Sequence, residues 1–288
     1  MPFATINSRV IKTLSAALVA LWLTGFSAAA AETNAASAIE RRESPTARAG
    51  RIFQETRTKF HAATNASELN WHFGQACFDW AEFATNDTQR AEIAGQGIAA
   101  CRALTKRQSN SAPAHYYLGM NLGQLARTKY LGALFIVDEM EREFKIVRTL
   151  DQNFDYAGPD RNLGLLYLEA PSIGSIGDKS KARTHLQRAA ELASGFPENR
   201  LNLIEACLKW NDRVAARRIL AALEASLPDA RKEFSGPTWT PNWLDWRKRL
   251  VEARQQLGPP PKAIQSPRDK NNQGGRASSR AATYPKAP

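Results

Sequence analysis

The chain has 288 residues and a formal net charge of +11, with 39 Lys and Arg against 28 Asp and Glu. Its hydrophobic fraction of 43% can build a packed core, which excludes wholesale disorder. Residues 1–31 carry +2 and residues 257–288 carry +5, so residues 32–256 hold only +4, and nucleic acid is not a favoured partner.

Residues 1–31 have the order of a secretory signal peptide. Arg9 and Lys12 form a positive segment, an apolar stretch covers residues 14–26, and residues 28–31 are an alanine run that suits cleavage. We predict a cleaved signal peptide and a periplasmic or secreted mature protein. The alternative is an N-terminal membrane anchor, because residues 14–31 are just long enough to span a bilayer.

Residues 44–255 are predicted to be helical almost throughout. Helix-forming residues fill the stretches between short Asn, Asp, Gly and Pro clusters, and no alternating strand pattern occurs. Helices are expected to begin at Ser44-Pro45, Asn86 and Asp178, which are good N-cap or first-turn residues. Residues 32–66 are assigned to an N-terminal helical lead.

The three cysteines, Cys77, Cys101 and Cys207, do not make a disulfide framework. If Cys77 and Cys101 lie on antiparallel helices that turn near residue 86, they are offset by about 9 Å along the helix axes. A disulfide requires Cα atoms within about 7 Å of each other. We therefore expect buried free thiols.

An internal repeat is the strongest pattern in the chain. Four helices carry a bulky apolar residue next to a small or aligned residue, at spacings of 45, 45 and 40 residues: Phe73-Gly74, Leu118-Gly119, Leu163-Gly164 and Leu203-Ile204. The helix after each pair carries an apolar or small triplet at i, i+4 and i+7: Gly97/Cys101/Leu104, Met140/Phe144/Val147, Ala182/Leu186/Ala189 and Ala216/Leu220/Leu223. Small residues would let the second helix approach closely, and Pro228 is expected to end the last unit.

This pattern resembles the tetratricopeptide repeat, whose two helices read W-x-x-L-G-x-x-Y and A-x-x-x-F-x-x-A before a proline. The residues of the third unit that resemble it are Leu163, Gly164 and Tyr167, then Ala182, Leu186 and Ala189. The units run 40–45 residues rather than about 34, with nine and six extra residues between the helices of the second and third units. The resemblance implies an all-α fold, a TPR-like α-solenoid of four hairpins over residues 67–228 with a capping helix at 229–256.

Residues 157–171, AGPDRNLGLLYLEAP, resemble the periplasmic TPR-like T component of TRAP-type transporters. This resemblance implies a helical-repeat protein that works beside a solute-binding protein. Members of that family are often anchored by a lipid, whereas no cysteine lies near the predicted cleavage site. Two functions therefore stay open, a general protein-binding scaffold and an accessory subunit of solute uptake.

The sequence contains no catalytic, metal or cofactor signature. The four histidines form no H-E-x-x-H motif and the cysteines form no C-x-x-C motif, so no enzyme activity, metal or cofactor is predicted. His115 is interpreted as a packing residue between helices. Residues 174–180 fail as a phosphate loop because Asp178 separates Gly from Lys, but the insertion at 169–177 is an alternative ligand contact.

The C-terminal part of the chain is predicted to hold one more helix and a tail. Thr240-Pro241 is expected to start the capping helix, with Trp243, Trp246 and Leu250 on its buried face. The alternative is an amphipathic helix on a membrane or partner, with basic residues 247–249 in water. Residues 257–288, rich in Pro and carrying +5, are predicted to be a disordered tail whose candidate partner is an anionic envelope surface.

Function is expected in the groove formed by the first helices of the hairpins, the usual binding surface of such arrays. The expected partner is a protein or peptide segment in the periplasm, with a solute-binding protein as the alternative. Candidate binding residues are the exposed members of a set that flanks the core anchors: Asn70, His72, Tyr116, Asn121, Arg161 and Asn162.

Overall fold

The computed structural model describes residues 43–63, 67–129 and 133–259. Within these ranges the chain forms ten α-helices and one short 3-10 helix, and no strand. The all-α prediction is therefore confirmed. The predicted signal peptide and nearly all of the predicted tail lie outside the described residues. Among the described helices, none combines the length and the apolar character needed to cross a bilayer.

The helices follow one another with short connections. They are α1 Pro45–Ala62, α2 Ser67–Ala81, α3 Asp87–Arg107, α4 Ala112–Ala126, α5 Ala133–Leu150, α6 Phe154–Glu169, α7 Lys179–Leu192, α8 Pro197–Lys209, α9 Arg213–Glu233 and α10 Thr240–Leu257, with the 3-10 helix Pro237–Trp239 before α10. Helices that are neighbours in sequence pack side by side, most extensively α2 with α3, α4 with α5 and α6 with α7.

The predicted helix starts are confirmed by their caps. The Ser44 hydroxyl accepts a hydrogen bond from the Ala47 amide at 3.1 Å, directly before Pro45 opens α1. The Asn86 side chain accepts from the Gln89 amide at 2.9 Å and so caps α3. Asp178 accepts from two amides of the first turn of α7, which satisfies donors that the helix itself leaves unpaired.

Three glycines set the spacing within successive helix pairs. A Cβ placed on Gly119 of α4 would stand 2.8 Å from the Phe144 ring of α5, and one on Gly164 of α6 would stand 2.7 Å from Leu186 of α7. In the first pair, the Sγ of Cys101 occupies the same position against Gly74. The bulky-plus-small pairs and the apolar triplets in the sequence predict these contacts.

The three cysteines are buried free thiols, as expected from their spacing. Burial raises the pKa of the Cys77 and Cys101 thiols. Both thiols are therefore protonated at neutral pH, and their environment is that of packing residues.

Two details differ from the sequence-based predictions. Helix α9 continues through Pro228 to Glu233, because its apolar stripe continues to the buried Ala230 and this burial outweighs the one hydrogen bond that proline removes. Arg249, expected in water in the amphipathic-helix alternative, is buried. Its guanidinium donates to Glu205 at 2.7 Å and to the carboxylate of Glu198, so it fastens α10 to α8.

The beginning of α6 has an unusual backbone. Asp155, Tyr156 and Ala157 have φ angles of 50°, 54° and 61°, so three consecutive residues other than glycine adopt the left-handed conformation. L-residues disfavour this conformation because Cβ crowds the following carbonyl oxygen. The right-handed part of α6 follows this turn and contains Pro159 near its start.

Candidate binding face

The structure places five of the six predicted groove residues in the interior. Asn70, Tyr116, Asn121, Arg161 and Asn162 are buried, with at most 8% of their surface exposed. His72, the sixth residue of the set, is half-buried. These five residues are therefore not the exposed members of the set, and their hydrogen bonds explain why they are polar.

Tyr116, Asp155 and Arg161 form the centre of a buried network. The Tyr116 hydroxyl donates to the Asp155 carboxylate at 2.5 Å, and the Arg161 guanidinium donates to that same carboxylate. Arg161 also donates to the carbonyls of Asp155 and Tyr156 at 3.0 and 3.2 Å. It reaches α8 through the Asn199 side chain at 3.2 Å. The network therefore holds the left-handed turn and joins α4, α6 and α8.

The ionisation of this network follows from its burial. Burial raises the pKa of Tyr116 well above its ordinary value, and the nearby charge of Asp155 adds to the rise. Burial alone would lower the pKa of Arg161, but the effects of Tyr116 and Asp155 are larger, so the pKa of Arg161 is raised. Tyr116 is thus a neutral donor and Arg161 a cation, which suits a structural network.

Asn70 and Asn121 tie neighbouring helices together through backbone carbonyls. Asn121 of α4 donates to the Gly74 carbonyl of α2 at 2.8 Å. Asn70 of α2 donates to the Ala100 carbonyl of α3 at 3.2 Å and accepts from Arg107 at 3.1 Å. Each of these buried side-chain amides satisfies a backbone carbonyl of a neighbouring helix and so stabilises the packing of the two helices.

The two histidines nearest this region are also held within the protein. His72 donates through Nδ1 to the Glu68 carbonyl at 2.9 Å and stacks on Trp71, and burial lowers its pKa. His115 lies between the Glu143 carboxylate, 2.5 Å from Nδ1, and the Ser109 carbonyl, 3.0 Å from Nε2. The interpretation of His115 as a packing residue is confirmed. Across the described ranges, no group of three His, Cys, Asp or Glu side chains is arranged to hold a metal ion.

A different set of residues on the first helices reaches solvent. Trp71, Gln75 and Asp79 are half-buried and follow one another at i, i+4 and i+8 along one side of α2. Trp71 stacks on Tyr117 of α4 at 6.0 Å, and Tyr117 meets the ring of Phe154 edge-on at 6.4 Å. We call Trp71, Gln75, Asp79 and the half-buried Phe154 the α2–α6 face.

Asp79 is the acidic residue of the α2–α6 face. Within the part of the chain that the structure describes, no hydrogen bond or ion pair reaches its carboxylate. Glu82, in contrast, accepts from Arg127 at 3.1 Å and from Gln124 at 2.5 Å. Burial raises the pKa of Asp79 well above its ordinary value, and the charges of Glu82 and Asp155 add to the rise. An incoming cation would relieve this unfavourable environment.

The sequence did contain a signal for this face. The i, i+4, i+8 spacing from Trp71 to Asp79 marks one side of α2, adjacent to the side that carries the core anchors Phe73 and Cys77. The candidate residues chosen from the sequence lie closer to those anchors and turn into the interior.

No protein-family model matches the chain, and no curated protein matches it. Any assignment of function therefore depends on the residues of this chain and their geometry.

Proposed function

We propose that the protein is a non-enzymatic, extracytoplasmic scaffold with a TPR-like α-solenoid fold that binds a segment of another protein on the α2–α6 face. The observation that carries this proposal is the glycine contact repeated in three successive helix pairs, at Gly74, Gly119 and Gly164. A single hairpin buries too little apolar surface to be stable alone, so repeated hairpins stack and leave an extended face for binding.

The last two elements support the same architecture. The fourth pair has Ile204 where the others have glycine, and Ile204 is fully buried in the core that α8 and α9 share with α10. Trp246 of α10 donates to the Glu198 carboxylate at 2.7 Å, and Leu250 packs into the same core. In this proposal α10 is the helix that covers the end of the array.

The chemistry of the α2–α6 face favours a partner segment with a cationic side chain. The half-buried ring of Trp71 offers apolar contact to the stem of a long side chain, and Asp79 offers an unpaired carboxylate two turns further along α2. A lysine or arginine in an extended or helical segment can meet both groups. Binding of this kind requires no nucleophile, acid or base.

The alternative is an accessory role like that of the T component of TRAP-type transporters. The residues that carry this resemblance are mostly interior: residues 157–167 are all buried, and Gly164 and Tyr167 take part in helix packing. Such residues support a shared way of packing helices more than a shared partner. Genes for a solute-binding protein and membrane subunits beside this gene would favour the alternative, and their absence would count against it.

The test is capture of extracytoplasmic partners by the full chain, compared with a variant of the face. Trp71→Ala combined with Asp79→Lys should lose a partner that the wild type retains. Asp229→Lys, at a side chain that is 84% exposed on α9, makes the same charge change away from the face and should retain that partner. Equal capture by all three proteins, with unchanged helical circular dichroism, would contradict the proposal.

A further inference from the structure

Helix α1 runs beside α2 and forms one wall of the recess that contains Asp79. Near the end of α1, the ring of Phe60 stacks on Phe73 in the middle of α2 at 4.8 Å. Near the start of α1, a Cβ placed on Gly50 would stand 3.2 Å from the ring of Trp80 at the end of α2. The two helices are therefore antiparallel and in contact over most of their length.

This register brings a second side of α1 next to the α2–α6 face. Burial lowers the pKa of His72, and the charge of Lys59 on α1 adds to this effect, so the two side chains lie close together. Two helical turns from this pair, Ile52 on α1 is level with Asp79 on α2. Ile52 is 36% exposed and Asp79 is half-buried, so both residues border the same recess.

The start of α1 also contacts the other end of the described chain. The Arg48 guanidinium donates to the Thr238 hydroxyl at 3.3 Å, and these residues are 190 positions apart in the sequence. Thr238 belongs to the 3-10 helix, whose Trp239 meets the ring of Tyr156 at 6.1 Å, at the start of α6. The Asp79 carboxylate lies within electrostatic reach of that same turn of α6. Helices α1, α2 and α6 and the 3-10 helix therefore surround the recess.

The two sides of the Arg48–Thr238 contact are held unequally. Among the described helices, α1 packs extensively on α2 alone, whereas α10 packs on both α8 and α9. Arg213 of α9 further holds the end of α10, because it donates to the carbonyls of Gln256 and Leu257 at 2.7 and 2.9 Å. Loss of the Arg48–Thr238 hydrogen bond would therefore release the start of α1 and leave α10 in place.

We propose that the Arg48–Thr238 hydrogen bond is a latch that controls access to the α2–α6 face, a regulatory role that rests on the proposed function of this face. With the latch closed, the surrounding elements enclose Asp79, which agrees with a half-buried carboxylate whose surroundings disfavour its charge. When α1 tilts away about its contact with α2, a cationic side chain can reach Asp79. A partner that binds the open state would shift the equilibrium toward it.

The test measures how fast a small thiol reagent modifies Asp79→Cys in the full chain. The three native cysteines are buried, so the reagent reports on position 79. Arg48→Ala in this background should raise the modification rate about two- to tenfold, the effect of one hydrogen bond on an equilibrium. Arg51→Ala is the matched control, because Arg51 is exposed on α1 and pairs with Glu43 and Glu55. Equal rates with and without Arg48→Ala would overturn the latch.

A second variant separates loss of the latch from general loosening of the fold. Thr238→Val keeps the shape of the side chain, removes the hydroxyl, and should raise the rate as much as Arg48→Ala does. The two changes together should be no faster than either alone, because both remove the same hydrogen bond. Rates that multiply would contradict the latch.

The labelling involves no partner, so it tests the latch separately from the proposed function. Equal labelling rates would overturn the latch and leave partner capture to decide whether the face binds. The expected rates without any captured partner would instead overturn the proposed function alone.

Discussion

Arg161 of α6 binds Asp155 in the first turn of its own helix, because its guanidinium donates both to the Asp155 carboxylate and, at 3.0 Å, to the Asp155 carbonyl. The left-handed conformation costs roughly 1–2 kcal/mol per residue, and three residues adopt it here. Such a turn persists only where its surroundings determine it strongly. Arg161, with Tyr116 and Asn199, supplies those surroundings.

Replacing Arg161 should therefore be among the most destabilising single changes in the chain. Arg161→Gln leaves the Asp155 carboxylate buried without its cation and frees two carbonyls of the turn, so we expect a loss of about 3–5 kcal/mol in the free energy of unfolding. The control is Arg254→Gln, which breaks an exposed pair with Glu224 and should cost about 1 kcal/mol or less. Urea unfolding of both variants decides the matter, and similar losses would show that the network does not support the turn.

The glycine contacts make an equally direct prediction. Gly119→Ala and Gly164→Ala force a methyl group against Phe144 and Leu186, and each should lower the free energy of unfolding by about 1–3 kcal/mol. Gly95→Ala is the matched control, because Gly95 lies in α3 with nothing within 4 Å of a Cβ. There, alanine should stabilise the protein by about 0.5–1 kcal/mol. If all three substitutions stabilised the chain, close helix approach would not depend on these glycines.

These contacts also show which parts of the structure could be predicted. Helix starts, the glycine contacts and the free thiols depend on local pattern and spacing, so the sequence was sufficient for them. The roles of Asn70, Tyr116 and Arg161 depend on which way each side chain points, and a rotation of one position around a helix moves a residue between the surface and the interior. The left-handed turn at Asp155 gave little signal in the sequence, because none of its three residues is glycine or asparagine.

His115 predicts a pH dependence of stability. Burial alone would lower the pKa of His115, but the hydrogen bonds to Glu143 and the Ser109 carbonyl outweigh it and raise the pKa above 6.5. A raised pKa in the folded state means that the stabilisation is complete below pH 6.5 and is lost as pH rises through the folded value. The wild type should therefore exceed His115→Gln in melting temperature by more at about pH 6 than at about pH 8. A gap that is constant or widens with pH would refute a protonated His115.

Removing the Asp79 carboxylate should raise the stability of the folded protein. Its pKa is raised by burial and by the charges of Glu82 and Asp155, so the folded state holds a proton that the unfolded state releases near pH 3.8. Above that pH, folding requires Asp79 to take up a proton, and this destabilises the folded protein increasingly as pH rises toward the folded pKa. At neutral pH, Asp79→Asn should stabilise the chain by on the order of 1 kcal/mol, because the amide avoids the cost of burying a carboxylate that has no partner.

The control for Asp79 is Asp229→Asn on α9. The exposed Asp229 accepts from Lys232 at 2.9 Å, and this contact lowers its pKa, so amidation there should give no gain in stability. Thermal unfolding at several pH values gives both comparisons, and the gain from Asp79→Asn should shrink as the pH falls.

The Asp79→Asn variant should also bind a cationic partner segment less tightly than the wild type. A gain in stability together with a loss of binding is the result expected for a residue whose role is recognition. If Asp79→Asn instead destabilised the chain, the Asp79 carboxylate would have a structural partner and would not be a vacant recognition group.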